Sequence, residues 1–293
     1  EKTISLGMDL TARASWEASV QPYLDEIPLT LIGKGEQNAV KIKLAIDAAE
    51  ARHVVLVEEP ENHLSHTSLG KLIGHISQRC DRQQLIICTH NSFVLNKLGI
   101  DRVLMFNGRH AVGLDELDTE TRSYFKRLPG HDTLRMILAQ RTILVEGPSD
   151  ELIVECAFKK VHGCMPLEAG VEVISVGTSF KRFLEVAKLL KIDVAFIRDN
   201  DRRHEVMKER YSEYTKSSNI TMHLDDDDAA YSLEPQILKA NGLKLLNQLL
   251  KTGFTSEEGL LAHMEANKTD VALALSSYPS KLEIPKYILD AVA

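Results

Sequence analysis

The chain has 293 residues, which is enough for two domains, and its 44% hydrophobic and 26% charged residues are typical of a soluble globular protein. No segment resembles a signal peptide or reaches the roughly 18 apolar residues that cross a bilayer, which excludes a membrane partner. Four scattered cysteines without a C-x-x-C pair predict unpaired thiols in a reducing cytoplasm. The net charge of −7 argues against coating nucleic acid by bulk electrostatics, but not against bringing metal cations to a phosphate.

The first half of the chain alternates apolar runs with helical spacing. His53–Val57 and Gln84–Cys88 predict parallel strands that are buried on both faces, and Ser68–Ser77 predicts a helix between them. Arg102–Phe106 is a candidate for a third strand. The polar stretch Gly113–Arg127 shows no clear strand signal.

The second half alternates strands and helices regularly. Apolar runs and helical spacing predict, in order, strand Thr142–Val145, helix Ser149–Val161, strand Val171–Val176, helix Phe180–Lys191, strand Val194–Arg198, helix Arg203–Lys216, strand Ile220–Leu224 and helices Leu233–Lys251, Ser256–Met264 and Asp270–Leu275. This order predicts an α/β fold with a parallel sheet, helices on both faces and ligands beyond the carboxyl ends of the strands. A helical segment at Asp132–Gln140 precedes the second half, and we place the domain boundary near Gln140.

Carboxylates follow the predicted strands directly. In I-L-V-E-G-P-S-D, Glu146 ends a strand and Asp150 falls in the first turn of the next helix, where it can face back toward Glu146. In R-D-N-D, extended backbone would put Asp199 and Asp201 on the same side. Glu234 follows the last strand after a short connection. If the strands are parallel neighbours, these acids meet at one rim of the sheet.

Such acids have two interpretations. Any one of them alone could cap the helix that follows it. Acids that converge from separate strands repel one another unless cations lie between them, which favours a metal site. Oxygen ligands without nearby His or Cys indicate Mg²⁺ or Mn²⁺ rather than zinc. The acidic run Asp225–Asp228 is either a solvated loop or the source of one supplementary ligand.

The motifs L-V-E-G-P-S-D, D-N-D and L-E-P, in this order, resemble the Toprim domain of topoisomerases, bacterial primases and a set of nucleases. The resemblance covers residues 141–293 and implies two Mg²⁺ or Mn²⁺ ions, one polarising a water and one stabilising the leaving 3′ oxygen. It implies that Glu146 acts near the scissile phosphate and that the metal ligands are Glu146, Asp150, Asp199, Asp201 and Glu234. The segment A-N-K-T-D-V-A-L-A-L resembles the lysine motif of the nuclease branch, which makes Lys268 a catalytic candidate and Lys281 a weaker substitute; a solvated surface lysine is the alternative for Lys268.

Basic side chains near these motifs are candidates for binding the DNA backbone. The small-residue turn in G-T-S-F-K-R-F lies at a predicted helix N-terminus, which suits a phosphate oxygen. The DNA-binding candidates are Lys181, Arg182, Arg202 and Arg203. An ordinary amphipathic helix start explains Lys181 and Arg182 nearly as well.

Residues 1–140 resemble the C-terminal part of an ABC-type ATPase domain. V-V-L-V-E-E-P-E-N-H-L-S resembles the Walker B and D-loop region, in which Glu58 would hold Mg²⁺ and Glu59 would orient the attacking water. His90 resembles the switch histidine. G-K-G-E-Q, which opens a predicted helix over Asn38–Glu50, resembles a degenerate signature motif with the nucleotide-binding candidates Gly33, Gly35 and Gln37. The sequence has no G-x-x-x-x-G-K-[ST] loop, so we expect a fragment of the ATPase that does not hydrolyse ATP by itself.

An ABC-type ATPase followed by a Toprim domain is the organisation of the OLD (overcoming lysogenization defect) family of nucleases, and the chain resembles its Gabija-like class 2 members. The resemblance implies metal-dependent cutting of DNA and antiphage defence. In the intact protein it also implies ATP-regulated dimerisation through the ATPase domain and a helicase-like partner protein.

Two other functions stay open at this point. A topoisomerase-like strand-passage enzyme would need a tyrosine nucleophile on a separate domain, and none of the seven tyrosines has such a context. A non-catalytic, ATP-gated DNA clamp would keep its activity after loss of Asp199 and Asp201.

Overall fold

The computed structural model describes residues 3–8, 20–48, 54–79, 84–99, 102–107, 110–127 and 132–293. The chain divides into two compact units, residues 1–99 and residues 100–293. No helix within the described ranges is long and apolar enough to cross a membrane. The cysteines that fall in these ranges are free thiols, as predicted, namely Cys88, Cys156 and Cys164; Cys80 lies outside them.

The first unit contains two small sheets and three described helices. Its elements are β1 (Ile4–Met8), β2 (Val20–Leu24), β3 (Ile27–Pro28), α1 (Lys34–Asp47), β4 (Val54–Glu58), α2 (His66–Arg79), β5 (Gln84–Cys88) and α3 (Ser92–Leu98). Strands β1 to β3 pair in antiparallel fashion, and β4 pairs with β5 in parallel. The helix predicted over Asn38–Glu50 is α1, which begins four residues earlier than predicted. The last two residues of that prediction lie outside the described ranges, as does His53, the first residue of the predicted strand.

The parallel pairing of β4 and β5 confirms the prediction, but the predicted burial on both faces is wrong. Val55 and Ile87 pack on the helices of the unit, whereas Leu56 is 73% exposed and Ile86 is 44% exposed on alternate positions of the same strands. Because side chains alternate along a strand, helices that cover one face of the described residues bury only every second position.

The second unit begins with a hairpin and two helices and continues with a regular alternation of strands and helices. Its elements are β6 (Leu104–Asn107), β7 (His110–Gly113), α4 (Thr119–Arg127), α5 (Asp132–Leu138), β8 (Arg141–Val145), α6 (Pro148–His162), β9 (Val171–Ser175), α7 (Phe180–Leu190), β10 (Asp193–Ile197), α8 (His204–Thr215), β11 (Ile220–His223), α9 (Leu233–Leu250), α10 (Glu257–Ala266), α11 (Lys268–Ser276) and α12 (Lys286–Val292).

The main sheet has the strand order β11-β10-β8-β9, and all its neighbours are parallel. Ile143 and Val145 of β8 point into a large core with α6 and the C-terminal helices. On the opposite face Phe180 of α7, Phe196 of β10 and Tyr211 of α8 form an aromatic cluster. The predicted α/β fold with a parallel sheet and helices on both faces is confirmed.

Several predicted elements differ in detail. The strand near Arg102–Phe106 exists as β6, which pairs antiparallel with β7 in a two-stranded sheet of described residues. The stretch Gly113–Arg127 contains helix α4, which starts because Asp118 accepts hydrogen bonds from the first-turn backbone N–H groups. Helix α9 is interrupted at Gly242, where φ is +70°.

The segment that precedes β8 belongs to the second compact unit. Arg182 of α7 donates to Glu120 of α4, and Arg135 of α5 donates to Glu172 of β9. The boundary predicted near Gln140 therefore lies inside this unit, because the helices before β8 are tied to the sheet by side chains. The assignment of an ATPase part and a Toprim part to residues 1–140 and 141–293 stays a prediction.

Candidate metal centre

Glu146 and Arg198 lie together because β8 and β10 are neighbours. The strand register pairs Leu144 with Phe196, so the residues two positions further emerge at the same edge. Nη1 of Arg198 lies 3.2 Å from Oε2 of Glu146, and Arg198 is only 6% exposed. Burial raises the pKa of Glu146; the charge of Arg198 opposes this rise and that of Asp201 adds to it.

Asp150 caps helix α6. Its Oδ2 accepts a hydrogen bond of 3.0 Å from the backbone N–H of Gly147. Such a bond alone would lower the pKa of an acid, yet burial raises the pKa of Asp150 to about 6, and the charges of Glu146 and Glu234 contribute to the rise. Asp150 therefore serves as a helix cap and also faces other carboxylates.

Asp199 follows β10 and is buried near other carboxylates. Burial and, after it, the charges of Asp150, Glu146 and Glu234 raise its pKa to about 8, although the charge of Lys268 opposes the rise. Carboxylates from β8, from α6 and from the start of α9 thus surround the end of β10.

Asp201 differs from the sequence-based expectation. Its φ is +50°, in the left-handed region, so the extended backbone from which we expected Asp199 and Asp201 to share a side is not present. The chain leaves the strand and turns at this point. Asp201 is half exposed, and its Oδ2 accepts a hydrogen bond of 3.3 Å from Nη2 of Arg198.

Glu234 and Lys268 form a further ion pair of the cluster. Glu234 is 4% exposed in the first turn of α9, and its Oε2 accepts hydrogen bonds from Ser232 Oγ at 3.0 Å and Lys268 Nζ at 3.1 Å. Burial alone would lower the pKa of Lys268, but the Glu234 hydrogen bond and the nearby negative charges raise it above its usual value. Lys281 instead lies over the ring of Tyr278.

The position of Lys268 depends on a junction between two helices. Asn267 ends α10 and is also the residue that precedes the first turn of α11. Lys268 is the first residue of α11, and its side chain is about half exposed. The direction in which α11 leaves α10 therefore sets where the ammonium group lies.

The donor set fits a hard divalent cation. Its members are carboxylates that raise one another's pKa, and such oxygen donors suit Mg²⁺ or Mn²⁺ better than zinc. Among the residues that the structure describes, no three Asp, Glu, His or Cys side chains yet converge closely enough to hold an ion. The acids lie within electrostatic reach of one another, while Arg198 pairs with Glu146 and Asp201 and Lys268 pairs with Glu234.

The four candidates for DNA contact differ in their availability. Lys181, Arg202 and Arg203 are exposed, and Arg202 stacks on the ring of Tyr231 at 4.1 Å. Arg182 donates to Thr121 and to Glu120 of α4, both at 3.1 Å. Its guanidinium is therefore engaged in holding α4 against α7, as the ordinary helix-start interpretation allows.

Asn200 is a functional candidate that sequence reasoning missed. It is fully buried, and its Nδ2 donates to the backbone carbonyls of Asp225, Asp227 and Ala230. The acidic run is therefore fixed beside the end of β10 as a structured loop, in which Lys239 binds Asp227 at 2.7 Å. The signal in the sequence that could have identified Asn200 is its position between the two acids of D-N-D.

The first unit places two further acids and a histidine close together. Nδ1 of His90 lies 3.6 Å from Oε1 of Glu59 and of Glu61. Glu61, which sequence reasoning did not single out, is buried and accepts hydrogen bonds from Thr89 Oγ1 at 2.6 Å and from the His90 N–H. Glu58 ends β4 and is exposed. Glu61, the third acid of E-E-P-E, thus orients Thr89 and His90.

The residues of G-K-G-E-Q have local structural roles. Gly33 precedes the first turn of α1, and Gln37 donates to the carbonyl of Ile32 at 2.7 Å. Gly35 packs so tightly against the backbone of His63 that a Cβ would lie 2.0 Å from its oxygen. These contacts explain the glycine at 35 without a nucleotide, whose binding stays a prediction.

Comparison with known proteins gives one family match. A family profile described as "Overcoming lysogenization defect protein-like, TOPRIM domain" matches residues 137–201. No curated protein sequence matches the chain. Among solved structures, the C-terminal region of the Xanthomonas campestris pv. campestris OLD protein shows 21% identity over 53% of this chain and 92% of that chain, with a TM-score of 0.40. The C-terminal region of the Burkholderia pseudomallei OLD protein shows 20% identity over 53% and 99%, with a TM-score of 0.39.

Proposed function

Residues 137–201 match the Toprim domain of OLD-like proteins, and from this premise we propose that the chain is a metal-dependent DNA endonuclease of the OLD family. The observation that supports the proposal best is the cluster around the end of β10, where burial and the charges of Asp150, Glu146 and Glu234 together raise the pKa of Asp199 to about 8. Charges that repel in this way create a strong demand for cations at one edge of the sheet.

The residues of the cluster have distinct roles in this proposal. Bound Mg²⁺ or Mn²⁺ supplies Lewis-acid stabilisation of the phosphate and an activated water. Glu146, Asp150, Asp199, Asp201 and Glu234 would hold the ions. Glu146 and Asp199 follow directly on β8 and β10, and the buried side chains of these two strands fix the backbone positions of both acids.

Lys268 is the proposed partner of the negative charge that builds on the phosphate. Its ammonium is held near the cluster by the 3.1 Å hydrogen bond to Glu234, and its half-exposed position leaves one side open to a substrate. A fixed cation beside the reacting phosphate stabilises the transition state more than the ground state.

The test is the nicking of supercoiled plasmid DNA. We expect nicking with Mn²⁺ or Mg²⁺ and none with EDTA. Glu146→Ala, Asp199→Ala and Lys268→Met should each reduce the rate by about 100-fold or more, the usual cost of a charge-stabilising group. Asp193→Asn is the matched control, because Asp193 is an exposed acid at the other end of the same strand.

The outcomes separate three functions. Cutting that persists in both the Glu146 and Asp199 variants would remove this site assignment. DNA relaxation without net nicking would favour the strand-passage alternative. DNA binding that is unaffected by Asp199→Ala, in a chain that never cuts, would favour the clamp.

The first unit is proposed as the part that responds to ATP in the intact protein. The close approach of His90 to Glu59 and Glu61 supports this role. Dimerisation through this unit and a helicase-like partner protein belong to the same proposal.

A further inference from the structure

Arg198 is the central cation of the acidic cluster. It is 6% exposed and spans two carboxylates, with Nη1 3.2 Å from Glu146 and Nη2 3.3 Å from Asp201. The ring of Phe180 supports its guanidinium at 5.4 Å. An arginine is therefore placed between two acids that come from different strand ends.

The hydrogen bonding of this guanidinium is incomplete. Its Nε and Nη1 and the Oε2 of Glu146 are buried and make no hydrogen bond. Nη1 and Oε2 are thus held by charge at 3.2 Å without the geometry of a bond. Buried arginines that serve only as structural ties usually satisfy their planar set of donors, because an unpaired buried donor costs free energy.

Arg198 thus lies between two acids that repel each other and balances part of their negative charge, while some of its hydrogen-bond donors stay unused. Without Arg198, the negative charges of Glu146 and Asp201 would act on each other with no cation between them. With it, the same carboxylates are held near the edge of the sheet and keep oxygen atoms that are free of strong directional bonds.

We propose that Arg198 is the internal counter-ion of the metal site: it holds Glu146 and Asp201 in place and gives up these carboxylates when divalent ions take over their charge. This inference rests on the proposed metal-dependent function. Arg198 is then a positioning residue that competes with the metal, rather than a ligand or a catalytic group.

A purely structural tie makes the opposite prediction. If Arg198 only shaped the site, its loss would misplace Glu146 and Asp201 and weaken metal binding. If Arg198 competes with the metal, its loss leaves one more uncompensated negative charge, and metal binding becomes tighter. The sign of the change in affinity therefore decides between the two roles.

The experiment measures Mn²⁺ binding by isothermal titration calorimetry and thermal unfolding in EDTA and in Mn²⁺. For Arg198→Met we expect a lower melting temperature in EDTA, Mn²⁺ affinity tighter by about tenfold, and a larger Mn²⁺-induced stabilisation than in the wild type. Arg198→Lys keeps the charge but cannot span both acids, and should be intermediate. Arg135→Met removes an arginine–carboxylate pair with Glu172 away from the cluster and should leave Mn²⁺ affinity unchanged.

Equal or weaker Mn²⁺ binding by Arg198→Met, in a chain whose wild type binds Mn²⁺, would overturn this inference and leave the proposed function standing. Absence of Mn²⁺ and Mg²⁺ binding by the wild type would overturn both. If the variants do not fold, Mg²⁺ titration of the wild type decides by NMR: the Nε–H resonance of Arg198 should shift, while that of Arg135 should not. An unmoved Arg198 signal in the metal-bound protein would refute the exchange.

Discussion

Folding disfavours the negative charge on Asp199. Burial and three neighbouring carboxylates raise its pKa to about 8 from a usual 3.8. A folded-state pKa above the unfolded value means that the folded protein prefers the protonated acid. The stabilising effect is complete below about pH 4 and is lost as the pH rises toward 8.

We therefore expect stability in EDTA to fall between pH 5 and pH 8. The loss should reach at least about 1.4 kcal/mol, the equivalent of one pKa unit, and Mg²⁺ should reduce it because the ion favours the ionised carboxylates. Urea unfolding at several pH values measures this effect. Asp199→Asn should flatten the profile; a profile as steep as that of the wild type would show that other groups cause it.

At the residue scale, the sequence predicted which acids come together better than how each is held. Glu146, Asp150, Asp199 and Glu234 are electrostatic neighbours because each follows or caps an element of one sheet, a relation that strand patterns show. Arg198 was missed, since its burial depends on contacts with Phe180 and Glu146 that are distant in sequence.

Among the elements, the loop 225–230 depends most on one side chain. Three carbonyls of this loop accept hydrogen bonds from Asn200, and each such bond contributes about 1 kcal/mol. We expect Asn200→Ala to lower the free energy of unfolding by about 2–4 kcal/mol and to weaken Mn²⁺ binding, because Asp199 and Asp201 flank it.

Asn219→Ala is the matched control for this effect. Asn219 also donates two hydrogen bonds to backbone carbonyls, those of Ala187 and Ile192, but it precedes β11 at the other end of the sheet. Its loss should lower stability in urea unfolding without changing Mn²⁺ affinity in calorimetry. Equal effects of both variants on Mn²⁺ binding would mean that the loop does not support the site.

The strands and most helices of the second unit could be predicted within a few residues, because their apolar periodicity is strong. The break in α9 and the start of α4 could not. Hydrophobic spacing does not indicate the positive φ of Gly242, at which α9 is interrupted. It also does not indicate the hydrogen bond that the side chain of Asp118 accepts at the start of α4. Element ends are decided by local bonds rather than by periodicity.

At the scale of the whole molecule, the compact unit starts well before the first strand of the main sheet. Thr121 of α4 is fully buried and donates to Glu185 of α7. A chain of residues 100–293 should therefore be more stable than one of residues 141–293 by several kcal/mol, on the order of the buried contacts that are lost. Chemical denaturation of the two chains measures the difference, and equal midpoints would support a boundary near Gln140.

The contacts that extend the compact unit before β8 could not be predicted from the sequence, because they join side chains about 40 to 65 positions apart. The parallel sheet itself follows from short-range alternation and was predictable. Long-range polar contacts have no such periodic signal.

The shared residue between α10 and α11 makes the lysine arm sensitive to chain length. Because Lys268 begins α11 directly after this joint, one residue inserted or deleted at Asn267 would change the length of the joint and move the ammonium group of Lys268 away from Glu234. Homologous chains that keep the Glu234–Lys268 ion pair must then conserve the number of residues in this joint, even where the residue types in it change.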